Sequence, residues 1–273
     1  MNFILIDGSY YIFYRYYATK KWWGFSNKDK STISESNKQE SLVNNEQFIN
    51  TFKKTFVDSI KTLHKSVGLK KNDTSILMVG KDCPRKNIWR KKLHPEYKEC
   101  RAKNSEIGSI FSIVYGEDLY NSSGVSSVLY DRELEADDCI ALTARHIVNK
   151  YHDATVWIIT SDMDYLQLAS DRIHLVAANG KKLTDKKNCF NDPKKDLFCK
   201  IISGDKSDNI PGIFSRCGIK TAAKYYEDKD LFQKKLDETP GASEIYKRNK
   251  TLIDFDNIPS DLVERFHKEC LKL

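Results

Sequence analysis

The sequence predicts an α/β fold built on a parallel β-sheet with helices on both faces. Four short apolar runs end at acidic residues, and long connections with helical patterns separate these runs. Such connections suit crossovers between parallel strands rather than hairpins. The carboxyl ends of parallel strands lie at one edge of their sheet, where ligands bind in α/β folds. The acids are therefore expected to converge at that edge.

The predicted strands and the acids that follow them come in a regular order. The strands are residues 3–6, 75–79, 125–129 and 156–160. The acids after them are Asp7, Asp82, Glu135, Asp137, Asp138, Asp162 and Asp164. A fifth acidic site, Asp205 and Asp208, follows the apolar residues Ile201 and Ile202.

Several stretches between the strands have helical periodicity. Phe48–Val67 is apolar on one face and ends near Gly68. Helices are also predicted over 107–120, over 139–148 and in the charged remainder after Lys224, with a break at Pro240. Trp22–Phe25 is interpreted as a loop, followed by a polar surface insertion over 26–45.

Composition restricts the class of protein. The chain has 273 residues, 40% hydrophobic and 30% charged, which is typical of a globular protein with one large domain or two small ones. No apolar run approaches the roughly 18–20 residues of a membrane span. The apolar start is too short for a signal peptide, so an intracellular location without membrane contact is expected. The seven cysteines include no Cys-x-x-Cys pair, so neither a zinc site nor a disulfide framework is expected.

The charge distribution indicates an anionic partner. The net charge is +7, and basic residues are dense over 85–103, with Trp89 and Tyr97 among them. A charge run is usually only a solvated surface. Aromatic residues within the run and the nearby acids favour a segment that contacts phosphates.

The acids also allow two interpretations. Each could be an ordinary helix cap, since Asp and Glu are common in the first turn of a helix. If they share a cleft, however, they cannot all ionise without help, because neighbouring carboxylates raise one another's pKa. Oxygen-only sites suit Mg²⁺ or Mn²⁺ rather than zinc. A cleft with this many acids can hold two ions about 3.5–4 Å apart for phosphoryl chemistry.

Five motifs in order resemble the 5′-nuclease superfamily. They are Ile-Asp7-Gly-Ser, the stretch from Arg90 through His-Pro-Glu-Tyr97-Lys98 to Arg101, Glu135-Ala-Asp-Asp138, Ser-Asp162-Met-Asp164, and Gly-Asp205-Lys-Ser-Asp208-Asn-Ile-Pro-Gly212. That superfamily includes flap endonucleases, phage 5′–3′ exonucleases and the 5′-nuclease domain of bacterial DNA polymerase I. The resemblance covers roughly residues 1–230, and the last motif is closest to the bacterial and phage branch.

The resemblance implies an architecture and a set of roles. It implies a PIN-like core over 1–200 with a helical arch at about 84–110, and a helix–hairpin–helix-type region with further helices over 201–273. It implies a first Mg²⁺ held by Asp7, Asp82, Glu135, Asp137 and Asp138, and a second held by Asp162, Asp164, Asp205 and Asp208, with Mn²⁺ as a substitute. Lys98 and Arg101 would act on the scissile phosphate. The nucleic-acid contacts would be Arg15, Arg90, Tyr97, Gly212, Gly218 and Lys220, with K⁺ at the hairpin.

Two positions depart from the family pattern. The spacing from Asp82 to Tyr97 is about one residue longer than expected, which makes Asp82 the weakest ligand assignment. The hairpin keeps only Gly218 of the usual Gly-x-Gly, so DNA grip or the K⁺ site is expected to differ.

The implied function is a stand-alone, structure-specific 5′ nuclease of replication or repair, acting on DNA with 5′ flaps or 5′ ends. Two alternatives stay open: a ribonuclease with the same cleft, acting on RNA primers in RNA–DNA hybrids, and a catalytically inactive DNA-binding relative.

Overall fold

The structure is a computed structural model that describes residues 1–26, 41–101 and 105–271. Its centre is a five-stranded, fully parallel β-sheet with the order β3-β2-β1-β4-β5. The strands are β1 (Asn2–Asp7), β2 (Ser75–Gly80), β3 (Ser127–Leu129), β4 (Thr155–Ile159) and β5 (Ile173–Val176). The predicted parallel α/β class is confirmed. Strand β5 is absent from the sequence prediction, since no acid follows it directly.

Helices occupy the connections and the C-terminal part of the chain. They are α1 (Gly8–Ser26), α2 (Glu46–Lys61), α3 (Ser105–Gly116), α4 (Leu119–Ser122), α5 (Ala136–Lys150), α6 (Pro193–Ser203), α7 (Ile219–Glu227), α8 (Lys229–Glu238), α9 (Ala242–Ile253) and α10 (Ser260–Cys270). None of the helices in the described residues is both long enough and apolar enough to cross a membrane.

Helices cover both faces of the sheet because the side chains of each strand alternate between them. On β1, Phe3 and Leu5 belong to one buried cluster together with α5 and α10. Ile4 and Ile6 belong to the opposite cluster together with α1, α2 and α3. Both faces of β1 are therefore buried, as is expected for a central parallel strand.

The strand order places a crevice beside β1. From β1 the chain moves outwards through β2 to β3, and it then returns to add β4 and β5 on the other side. Connections that leave in opposite directions open a crevice at the carboxyl ends of β1 and β4. The acids that follow the strands lie around this crevice.

A third buried cluster joins the C-terminal helices to the basic segment. It contains residues of α6, α7, α8 and α9 together with Cys83, Ile88 and Tyr97. Helix α6 begins at Pro193 and ends at Ser203, so the predicted boundary between residues 200 and 201 falls inside one helix. The two-domain division stays a prediction.

Three local expectations are wrong. Trp22–Phe25 is not a loop but the last turn of α1, where the Trp23 ring packs on Phe48 at 5.7 Å between centroids. The helix predicted to Val67 ends at Lys61 and continues as a 3₁₀ turn. The stretch predicted as one helix over 107–120 is divided between α3 and α4. Most of the predicted insertion, residues 27–40, lies outside the described residues.

The predicted arch is helical only in part. Residues 84–101 form 3₁₀ and other turns, while α3 supplies 105–110, and residues 102–104 are outside the described part. These turns pack against the core, and Trp89, Arg90 and Tyr97 are consequently each only 2% exposed.

Candidate active site

Asp7 lies at the carboxyl end of β1, beside the crevice. Its carboxylate accepts hydrogen bonds from the Tyr10 amide at 3.1 Å and from the Thr160 hydroxyl at 3.0 Å. Burial and the neighbouring carboxylates of Asp82 and Asp162 raise the pKa of Asp7 to about 7. The ends of β1, β2 and β4 thus bring their acids close enough to repel one another.

Asp82 is at this edge despite its unusual spacing. One carboxylate oxygen accepts a hydrogen bond from the Ala136 amide at 2.8 Å, and the other accepts one from the Ser9 hydroxyl. Since Ala136 is the first residue of α5, the positive end of that helix faces the carboxylate. The longer spacing between Asp82 and Tyr97 therefore does not remove Asp82 from the acid cluster.

Asp138 lies behind the cleft rather than in it. Its side chain is fully buried and accepts hydrogen bonds from the Trp89 indole at 3.0 Å and from two Arg90 nitrogens at 2.7 and 2.8 Å. The amide of Glu135 is a further donor at 3.1 Å. Both oxygens are thus engaged by donors. Asp138 holds Arg90 in place, and its role as a metal ligand stays a prediction.

The resemblance assigns Arg90 and Tyr97 to nucleic-acid contact, and their burial contradicts this. Arg90 Nε donates to the Leu252 carbonyl at 2.7 Å, and Nη1 donates to Glu135 at 3.0 Å. The Tyr97 hydroxyl lies between Glu135 at 3.0 Å and Asp208 at 3.1 Å. Each residue is only 2% exposed, and its side-chain donors already pair with groups of the protein, so neither is free to contact a phosphate. They position the acids instead.

Lys98 and Arg101 lie at the edge of the acid cluster. Lys98 Nζ is 2.5 Å from Glu135 Oε1 and 3.5 Å from Asp208 Oδ2, and Arg101 also pairs with Asp208. Burial alone would lower the pKa of Lys98, but Glu135, together with Tyr97, Asp137 and Asp208, raises it well above its usual range. The two residues belong to a turn in which Lys98 has a φ of 58°, so they do not share a helix face.

The second group of acids contains a cation that sequence reasoning missed. Lys200 Nζ in α6 is 2.7 Å from Asp164 Oδ1 and 2.5 Å from Asp205 Oδ2. Burial and Asp162 raise the pKa of Asp164 to about 7, although Lys200 opposes the rise. Several lysines occur over 181–200, and nothing in their spacing distinguishes Lys200 from the others.

The loop that carries Asp205 and Asp208 is closed on itself by its backbone. The amides and carbonyls of Asp205 and Ile210 bond reciprocally at 2.7 and 2.8 Å. Gly204 has a φ of +69°, and a Cβ there would overlap the Ile210 carbonyl. A Cβ on Gly212 would come within 2.8 Å of the Ser203 carbonyl oxygen. Glycine at both positions allows the tight turn that aims the two acids into the cleft.

The remaining predicted nucleic-acid contacts differ in their exposure. Gly218 caps the amino end of α7 and is exposed, as is Lys220 in the first turn of that helix. Arg15, by contrast, donates to the Thr55 carbonyl of α2 at 3.3 Å, in the packing of α1 against α2. Gly212 is half-buried in the loop described above.

A second missed residue is Arg265 on α10. Its guanidinium donates to both oxygens of Asp131 at 2.6 and 2.7 Å and to Glu133 at 3.0 Å. Asp131 in turn accepts hydrogen bonds from the amides of Glu133 and Leu134, directly before Glu135. The C-terminal helix therefore fixes the segment that presents the acids of α5. Arg265 and Asp131 are far apart in sequence, so no local sequence pattern indicates that they pair.

The donor set of the cleft fits hard divalent cations. Two groups of carboxylates have oxygens within 4.8 Å of one another, Glu135 with Asp137 and Asp138, and Asp164 with Asp205 and Asp208. Burial, Asp138 and Glu135 raise the pKa of Asp137. The fully buried Tyr165 hydroxyl, near Asp7 and Asp137, has no hydrogen-bond partner among the described residues. Oxygen-only donors that repel one another suit Mg²⁺-like ions.

Known proteins share this sequence pattern. A family model described as the N-terminal resolvase-like domain of 5′–3′ exonucleases matches residues 2–195. A 5′-3′ exonuclease of Mycoplasmopsis pulmonis is 28% identical over 259 residues, which are 92% of this chain and 75% of that protein. A DNA polymerase I of Rhizobium leguminosarum is 32% identical over 139 residues, which are 47% of this chain but only 13% of the polymerase.

Solved structures share the fold. The D15 protein of phage T5, crystallised with metal ions, superposes with a TM-score of 0.67 at 20% identity, covering 100% of this chain and 99% of that one. A singly substituted form of the same T5 flap endonuclease, in a pseudo-enzyme-product complex with DNA and metal ions, gives a TM-score of 0.66 at 20% identity, covering 100% and 98%. The likeness therefore extends over the whole length of both chains.

Proposed function

The chain belongs to the 5′–3′ exonuclease family, and we propose that it is a structure-specific 5′ nuclease that hydrolyses DNA phosphodiesters in replication or repair. One observation carries this proposal. A single crevice contains acids from the ends of three strands, from the start of α5 and from the loop after α6, and Lys98 and Arg101 lie at its edge. Acids that hold cations beside side chains that attract phosphate are the combination phosphodiester hydrolysis requires.

The cleft is proposed to hold two Mg²⁺ ions, for which Mn²⁺ can substitute. The first would be held by Asp7, Asp82, Glu135 and Asp137, with Asp138 as the predicted fifth ligand, and the second by Asp162, Asp164, Asp205 and Asp208. When bound, the ions lower the pKa of a water and neutralise charge on the leaving oxygen.

Lys98 and Arg101 would position the scissile phosphate. Their charged groups lie against Glu135 of the first group of acids and Asp208 of the second, so they already lie between the two groups. Lys98 is only 9% exposed and its charge is stabilised, so it stays protonated at neutral pH. A fixed ammonium in a poorly solvated site stabilises developing negative charge better than one in water.

Lys200 would compensate the second group of acids before cations bind. It lies between Asp164 and Asp205, and it therefore reduces their repulsion in the metal-free protein. Entry of an ion between these carboxylates requires that the ammonium move towards solvent. The long, flexible side chain of lysine permits this movement at little cost.

The amino end of α7 would hold the DNA duplex backbone. Gly218 and Lys220 are exposed there, and the amino end of a helix with a nearby ammonium favours phosphate contact. A K⁺ ion at this hairpin is part of the proposal. The proposed substrates are DNA with 5′ flaps or 5′ ends, and RNA–DNA hybrids are a further class to test.

A labelled flap tests the function. Purified protein is incubated with a 5′-labelled DNA flap in Mg²⁺ and then in EDTA, with Asp205→Asn as the inactive variant and Asp171→Asn, on the exposed surface, as the matched control. Release of the flap in Mg²⁺ alone, lost in Asp205→Asn but kept in Asp171→Asn, is expected. Preferred cleavage of an all-RNA flap would instead indicate a ribonuclease. Tight binding without product would indicate an inactive DNA-binding relative.

A further inference from the structure

A pocket with an unusual lysine lies beside the acid cluster. It has a volume of about 620 Å³ and is bounded by the ends of β2 and β3, by the start of α1 and by α3. Lys81 and Asp82 form one wall, and the rings of Tyr115 and Tyr130 form another. The oxygens of Asp82 accept hydrogen bonds from the Ala136 amide and the Ser9 hydroxyl, and among the described residues Asp82 forms no ion pair with Lys81.

Lys81 is held in place without being neutralised. Its ammonium lies 4.5 Å from the centre of the Tyr115 ring and 5.3 Å from that of Tyr130. Aromatic faces attract a cation and fix its position, but they carry no formal charge. Among the ion pairs of residues 1–26, 41–101 and 105–271, none involves Lys81. The full charge of Lys81 is therefore available to an anion.

The hydroxyl of Tyr115 provides a second, independent observation. It is buried and has no hydrogen-bond partner in the described part of the chain. The absence of a side chain at Gly8 leaves room for it, because a Cβ there would lie 2.9 Å from the hydroxyl. Buried polar groups are normally paired, so an unpaired one beside a pocket indicates a missing ligand. A phenol is protonated at neutral pH and can donate to an anionic oxygen.

We propose that this pocket binds a phosphodiester of the substrate next to the one that is cleaved, with Lys81 supplying charge and Tyr115 a hydrogen bond. The proposal rests on the nuclease function proposed above. A phosphodiester fits better than a small free anion, because contacts elsewhere on the polymer hold it against the repulsion of the neighbouring acids.

The salt dependence of substrate binding tests the proposal. Single-turnover cleavage of a 5′-flap DNA in Mg²⁺ is measured over a range of enzyme concentrations, at about 50 to about 200 mM salt, to give the half-saturating concentration. Each phosphate contact adds about 0.9 to the logarithmic salt slope on duplex DNA and about 0.7 on a single strand. Lys81→Met should reduce the slope by one such increment. The size of the increment also indicates whether the bound phosphate lies in duplex or in single-stranded DNA. Lys81→Arg should restore the slope.

Two further variants separate charge from hydrogen bonding. Tyr115→Phe should raise the half-saturating concentration about tenfold with no change in slope, since no charge is lost. Lys71→Ala is the control: Lys71 is exposed just before β2, at the opposite edge of the sheet, and should change neither quantity. Melting temperatures of all variants are compared to verify folding.

The outcomes distinguish the two levels of the argument. Cleavage by the wild-type protein with an unchanged slope in Lys81→Met overturns the phosphate pocket and leaves the nuclease function intact. Absence of cleavage by the wild-type protein overturns the nuclease function and this proposal with it.

Discussion

Replacing Asp7 with Asn should stabilise the metal-free protein at neutral and higher pH. Burial, Asp82 and Asp162 raise the pKa of Asp7 to about 7 in the folded state, against about 3.9 in an unfolded chain. Each unit of this difference corresponds to about 1.4 kcal/mol, so the ionised carboxylate costs up to about 4 kcal/mol. Relaxation of the site reduces this cost, and we expect about 2 to 4 kcal/mol of stabilisation from the amide.

The sign follows from proton binding. Below about pH 4 the carboxyl is protonated in both states, so Asp7 contributes no pH dependence there. Between about pH 4 and pH 7 the folded protein binds more protons than the unfolded chain, so the free energy of unfolding falls as pH rises. Above about pH 7 the full cost is present. The stabilisation by Asp7→Asn is therefore large at about pH 8 and small at about pH 5.

Urea unfolding in EDTA measures this effect at both pH values, since urea does not screen charges as guanidinium does. The control is Asp171→Asn, an exposed position where the substitution should have the same small effect at both values. An equal effect of Asp7→Asn at the two pH values, or a loss of stability at about pH 8, would refute the electrostatic argument.

Three further substitutions test the supports of the site. Lys200→Met should lower the free energy of unfolding in EDTA by about 1–3 kcal/mol, because two carboxylates lose their cation. Mg²⁺ should recover much of this loss in a melting experiment. A loss that Mg²⁺ does not change would contradict the reasoning. Arg265→Ala should slow flap cleavage. Arg265→Lys should restore the rate only in part, because lysine cannot pair with Asp131 through two nitrogens. Equal single-turnover rates for the wild-type protein and the two variants would exclude this positioning role. Gly204→Ala should destabilise the fold by about 2 kcal/mol or more, since the φ of Gly204 is positive and a Cβ there would overlap the Ile210 carbonyl oxygen. Unchanged urea unfolding would show that the loop adapts.

The edge of the sheet that carries the acids could be predicted, because the pattern that indicates it lies within short stretches of sequence. An apolar run that ends at Asp7, or one that ends before Asp162, needs only the rule that parallel strands share a carboxyl edge. The two acids accordingly lie close enough for Asp162 to raise the pKa of Asp7. Helix periodicity predicted the positions of α2 and α5, although not where α2 ends nor the last turn of α1.

The roles of the basic residues could not be predicted in the same way. Arg90 and Lys98 belong to the same basic segment and both contact Glu135, yet Arg90 is held behind it by Asp138 and the Leu252 carbonyl, whereas Lys98 lies between Glu135 and Asp208. The two differ because the turns over 84–101 fold back onto the core, and a charge run does not specify which of its members turn inwards.

The sequence therefore establishes the family of the chain, the parallel sheet and the edge at which the acids gather, since strand ends and motifs are local patterns. The partners of those acids depend on contacts between distant segments. Lys200 meets Asp164 only when α6 packs beside the turn that follows β4, and Arg265 meets Asp131 only when α10 packs onto the core beside α5. Ion pairs across such separations have no periodicity in sequence, because their geometry is fixed by packing of the whole core.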